Sequence, residues 1–164
     1  MFAIDTNLLV YAHNTDSEFH KQAAAFVTKV VNERDHKGQH TICLPTQVLS
    51  EFVHVVTWQR VEKPLSIVEA IRVVRDYREI GIPIIHQRET QIQTFLELLE
   101  SGITRKKVFD MVLAATLKDN GIAGLYTVNV DDFKTFDFLK AVNPLQSLSN
   151  QADLSDTDSE SDEG

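Results

Sequence analysis

Five short apolar runs alternate with longer amphipathic segments along this chain, and that alternation constrains the fold more than any other feature. The runs are residues 1–5, TICLP (41–45), IPIIH (82–86), IAGLYTV (122–128) and Lys140–Val142. Between them, apolar residues recur with helical period, as Phe19, Ala23, Phe26, Val27, Val30 and Val31 do within Ser17–Asn32. TQVLSEFVHVVTWQRV (46–61) reads as a second helix with Thr46 as N-cap. PLSIVEAIRVVRDYREIG (64–81) carries a Ser66–Glu69 capping box and ends at Gly81. ETQIQTFLELLESG (89–102) is a helix ended by Gly102, and TRKKVFDMVLAATLKDNG (104–121) is one capped by Thr104 and stopped by Asn120-Gly121. DDFKTF (131–136) opens a short helical turn. Strand–helix–strand repetition predicts the α/β class: a three-layer α/β/α sandwich with a central, mostly parallel sheet covered on both faces.

Open sheets of this kind bind ligands at the carboxyl ends of their strands, so the polar residues just after each run carry the functional question. The opening stretch, MFAIDTNLLVYA, reads as a buried strand interrupted by Asp5-Thr6-Asn7, with the strand itself ending at residue 5 in a polar turn. No lysine or arginine lies nearby to pair with Asp5. Glu51 falls in the second turn of the helix after TICLP, and Asp110 in the second turn of the helix opened by Thr104. Asn129, Asp131 and Asp132 follow the run GLYTV. Three segments would thus deliver carboxylates to one edge of the sheet. Gathered carboxylates raise one another's pKa unless a cation neutralises them. Hard oxygen ligands suit Mg²⁺ or Mn²⁺, and such an ion holds a phosphate and activates water. That chemistry is phosphodiester hydrolysis.

The stretches IDTNLLVYA, LPTQVLSEFVHVV and VFDMVLAATLKDNGIAGLYTVNVDDF, in that order, resemble the PIN-domain nucleases. The resemblance is greatest to the VapC-type toxins of bacterial and archaeal toxin–antitoxin pairs and covers about residues 1–143. It implies a PIN-like sandwich and an Mg²⁺- or Mn²⁺-dependent endoribonuclease leaving a 3′-hydroxyl and a 5′-phosphate. Its acidic site would fall on Asp5, Glu51, Asp110 and Asp132. Asp5 and Asp110 would bind the ion most directly, with Glu51 joining them or acting through bound water. Asn129 stands where many members carry Asp, which leaves the fourth metal-facing position between Asn129 and Asp132. Asn7 and Thr127 would support the site, and Arg105 and Lys106 would hold RNA phosphates. The implied partners are an RNA substrate, an antitoxin protein that inserts an arginine among the acids, and a second copy of the chain as a homodimer.

Other residues read more plainly. Arg72, Arg75 and Arg78, with Glu69, Asp76 and Glu79 around them, suggest a solvent-facing ion-pair network. Cys43 reads as a core strand residue, and Phe52 and Trp58 as core residues of their helix. His54, three residues after Glu51, is the one histidine placed near the site. The single cysteine excludes an internal disulfide and a cysteine-rich zinc site, and with no signal peptide or membrane span expected, a cytoplasmic home follows. The net charge of −8 is uneven: residues 146–164 hold six of the 24 acids and no base, leaving 18 acids against 16 bases before them. Residues 1–145 therefore read as one nearly neutral domain, and 146–164 as an acidic, disordered and inert tail. Two other functions compete with the toxin reading: a PIN nuclease acting in RNA processing or repair, and a catalytically weak interaction module, for which neutral Asn129 is the hint. A haloacid-type phosphatase needs a second Asp two residues after the first, where this chain has Asn7.

Overall fold

The computed structural model of the chain describes residues 1–100 and 108–146. Its elements run β1 (Phe2–Ile4), α1 (Thr6–His13), α2 (His20–Asn32), β2 (Ile42–Pro45), α3 (Thr46–Val56), α4 (Ile67–Glu79), β3 (Ile84–Ile85), α5 (Gln91–Glu100), α6 (Val108–Asp119), β4 (Gly124–Tyr126), α7 (Val130–Phe133) and β5 (Lys140–Val142).

The five strands form one sheet in the order β3-β2-β1-β4-β5. Every pairing is parallel, with Phe2 opposite Ile42 on one side of β1 and opposite Gly124 on the other. Parallel neighbours need crossover connections, and the helices supply them. All four residues of β2 are buried, whichever face they point to, so the sheet is covered on both faces as the sandwich expectation requires. The core joins Ile4, Leu8, Leu44, Val48, Phe52, Met111, Leu117, Leu125 and Phe133 across these layers. Among the described residues no helix is long and apolar enough to cross a membrane.

The chief departure from expectation is α1. The residues after Asp5 do not form a polar turn followed by more extended chain; they are helical from Thr6 to His13. Five of the eight are buried, so the segment lacks the one-sided polarity that marks a surface helix. At α3, Pro45 is the N-cap and Thr46 the first helical residue, because Pro45 itself belongs to β2 and the helix springs directly from the strand. The helix stops at Val56, short of residue 61, with Thr57 as its C-cap. The capping box of α4 is formed: Ser66 Oγ accepts from the Glu69 backbone, and the Glu69 carboxylate accepts from the Ser66 backbone. Gly81 and Gly121 end α4 and α6 at φ +84° and +67°, the left-handed conformation that only glycine adopts at no steric cost. The caps expected of Thr104 and Gly102, and residues 147–164 of the acidic tail, lie outside the described residues.

Candidate active site

β1 is the middle strand, and its neighbours lead away in opposite chain directions, β2 to one side and β4 to the other. The carboxyl end of β1 is therefore the switch point where such sheets open a crevice. Asp5 occupies it. As the N-cap of α1 it takes the backbone N–H of Thr6, the first helical residue, on Oδ1 at 2.7 Å. Its other oxygen, Oδ2, accepts from the Thr127 hydroxyl at 2.6 Å and from Asn7 Nδ2 at 2.8 Å.

Thr127 follows β4 and is fully buried. While donating to Asp5, its hydroxyl oxygen accepts from Asn7 Nδ2 at 3.1 Å and from the Asn129 backbone N–H at 3.0 Å. Asn7 Oδ1 in turn accepts from the Val128 N–H at 3.4 Å. The ends of β1 and β4 are thus tied through Asp5, Asn7 and Thr127.

Glu51 reaches the same place from α3. Its Oε2 accepts from the Thr6 hydroxyl at 2.9 Å, and its Oε1 from Gln47 Nε2 at 2.9 Å. Thr6 therefore stands between two carboxylates, with its N–H on Asp5 and its hydroxyl on Glu51. The Asp5 carboxyl is held above its usual pKa, first by burial and further by the Glu51 charge, while the bonds from Thr127, Thr6 and Asn7 pull it back. None of the described ion pairs involves either acid.

Asp110 is half-buried in the first turn of α6. It directly follows Phe109, whose carbonyl accepts from Gln47 Nε2 at 3.3 Å. Asp131 and Asp132 lie in the short α7; Asp131 is exposed and paired with Lys134, and Asp132 is half-buried. Asn129 is the N-cap of α7, makes no side-chain cap bond and is exposed. An open polar cavity of about 680 Å³ lies beside them, lined by Asn129, Asp131, Asp132, Lys134 and Asn143 among others. Arg105 and Lys106 lie outside the described residues. Among the described residues no three carboxylate, imidazole or thiol side chains converge closely enough to cage one ion. The two acids that the described contacts join are Asp5 and Glu51, through Thr6.

Other residues fall away from the site. Cys43 is buried and its thiol is pushed up to about 12 by burial, which keeps it protonated and inert. His54 is exposed. Phe52 is in the core, but Trp58 is half exposed, beyond the end of α3, with the Arg60 guanidinium 5.4 Å from its ring centroid. The expected network around Arg72, Arg75 and Arg78 makes no close ion pair among the described residues: Glu69 is turned back to cap its own helix, and Arg72 acts on it only through its field. Sequence reasoning missed Thr6 and Gln47. Thr6 was legible only if Asp5 was recognised as a helix cap. Gln47 carried a plain signal, standing four residues before Glu51 on one helix.

Similar proteins place this geometry in context. The chain is 28% identical over 148 residues to Ribonuclease VapC24 of Mycobacterium tuberculosis, covering 90% of this chain and 99% of that protein. The structure of VapC20 from the same species, a toxin that cleaves the sarcin–ricin loop, superposes with a TM-score of 0.60 at 14% identity, covering 83% of this chain and 95% of that one. A toxin–antitoxin complex from Klebsiella pneumoniae gives a TM-score of 0.56 at 15% identity, over 88% of this chain and 98% of that one. Likeness at these identities establishes the fold. The family itself follows from the sequence match of residues 2–139 to the PIN domain: this chain belongs to the PIN domain family.

Proposed function

We propose that this protein is an Mg²⁺- or Mn²⁺-dependent endoribonuclease, the toxin of a toxin–antitoxin pair. One observation carries the reading: Asp5 and Glu51 are bridged by Thr6 at the switch point of the sheet, and no described ion pair compensates either charge. Their hard oxygens fit a divalent ion that takes one or two direct carboxylates and keeps several waters. Asp5 and Glu51 would hold it directly, and Asp110 would join through bound water. When bound, the ion would neutralise the acids, polarise the scissile phosphate and lower the pKa of water.

The chain's own residues supply the rest. Thr127, Asn7 and the Thr6 N–H fix both Asp5 oxygens, so the carboxylate meets its ligand without a search through rotamers. The Thr6 hydroxyl likewise holds Glu51 Oε2. Asp132, beside the polar cavity, is the candidate to orient the attacking water, and Arg105 and Lys106 are the candidates to hold the RNA backbone. In-line attack would leave a 5′-phosphate and a 3′-hydroxyl. The names of the similar proteins support both the ribonuclease reading and an antitoxin partner. An arginine from that partner would match the acidic pair in bidentate fashion. A second copy of the chain, forming a homodimer, belongs to the same proposal.

Incubation of the full chain with tRNA and rRNA in Mg²⁺, Mn²⁺ or EDTA, with the product ends mapped, tests the reading. Ion-dependent cuts with 5′-phosphate ends are expected. Cleavage undiminished by EDTA would overturn it.

A further inference from the structure

We infer that Gln47 is a positioning residue that fixes Glu51 for divalent-ion binding, an inference that rests on the metal-dependent reading above. Gln47 lies one helical turn before Glu51 on α3, so both project from the same face. Its amide nitrogen serves two acceptors, Glu51 Oε1 at 2.9 Å and the Phe109 carbonyl at 3.3 Å. Phe109 immediately precedes Asp110. A single side chain therefore joins the acid of α3 to the first turn of α6. The bonds also fix the orientation of the amide: turned over, its oxygen would face two acceptors.

Among the described residues, that orientation leaves Gln47 Oε1 buried with no hydrogen-bond partner. A buried acceptor left unmet is destabilising, and a methionine of similar length would fill the space without one. The amide's two bonds are directed at the acidic site and not at the core. Without them Glu51 keeps, among the described residues, the Thr6 hydroxyl alone. It then spreads over several rotamers, and the ion must order it on binding. Partners that orient metal ligands are typically worth 10–100-fold in metal affinity.

The test uses the full chain as wild type, Gln47→Met and Gln47→Ala, with thermal melts in EDTA and Mn²⁺ titrations by calorimetry. Gln47→Met should melt at or above the wild-type temperature yet bind Mn²⁺ about tenfold more weakly. RNA cleavage should half-saturate at correspondingly higher Mn²⁺, while the rate at saturating Mn²⁺ stays within about threefold of wild type. Gln47→Ala should show the same loss of affinity with a lower melting temperature. Wild-type Mn²⁺ affinity in Gln47→Met would overturn the positioning role alone. A wild-type chain that binds no Mn²⁺ would overturn the metal reading and this inference with it.

Discussion

The Asp5 carboxyl is shared between a helix end and an acidic pair, and its protonation reports which demand dominates. Burial is the largest influence and raises its pKa above the ordinary 3.8. The folded state therefore holds that proton more tightly than the unfolded chain does. The resulting stabilisation is full below about 3.8 and is lost as the pH rises through the folded value. Asparagine at this position does not titrate. In EDTA, the stability of Asp5→Asn relative to wild type should therefore improve between about pH 3.5 and pH 7, read by urea unfolding at each pH. A relative stability that moves the other way would mean that the three donors outweigh burial. At this scale Asp5, Glu51, Asn7 and Thr127 were legible because they stand in sequence motifs or beside apolar stripes. Thr6 was not, because its importance lies in what it touches across 45 residues of chain; Gln47 was legible in its spacing from Glu51, but its reach to the Phe109 carbonyl across 62 residues was not.

Elements were legible where their polarity was one-sided. The stripe and capping box of α4 announce a helix, and the structure has it within two or three residues of each expected end. The segment of α1 is apolar nearly all round, with Leu8, Leu9, Val10 and Ala12 buried, so its period could not be read and its β-branched and aromatic residues suggested extended chain. What decides in favour of helix is Asp5 acting as a cap and two packing partners, α2 and α3. α1 is also held at its far end, where His13 Nε2 and the Tyr77 hydroxyl of α4 lie 2.9 Å apart. Burial, joined by the nearby His20 and opposed by Asp76, lowers the His13 pKa below its ordinary 6.5. A lowered histidine contributes stability that is present above about 6.5 and is lost as the pH falls through the folded value. Replacing His13 by Gln should flatten that part of the stability profile, and an unchanged slope below about pH 6.5 would contradict the assignment. In β4, a methyl group on Gly124 would lie 2.5 Å from Phe2 Cδ1, and the Phe2 ring is stacked on Tyr126 at 4.6 Å and has little freedom to move. Gly124→Ala should therefore destabilise by about 1–3 kcal/mol, measured by urea unfolding; a neutral effect would show that β1 and β4 slide apart readily.

For the whole molecule, alternation of strands and helices was enough to give a parallel sheet, because helical crossovers return each strand in the same direction. The order of the strands was not legible, since no local pattern records which strand lies beside which. That order is what makes the site. With β1 between β2 and β4, the residue after β1 meets the residue after β4 as Asp5 and Thr127, and the helix after β2 brings in Glu51. Had β4 lain at the far edge, the same motifs would have stood apart. The expectation that several acids share one edge therefore depended on topology as much as on residue type. Whether this edge is a catalytic centre is decided by the RNA cleavage rate in Mg²⁺ of wild type, Asp5→Asn and Asp110→Asn, each confirmed as folded by circular dichroism. Both variants should be slower by about 100-fold or more; variants that cut RNA as fast as wild type would mean that the acids at this edge do not carry the reaction.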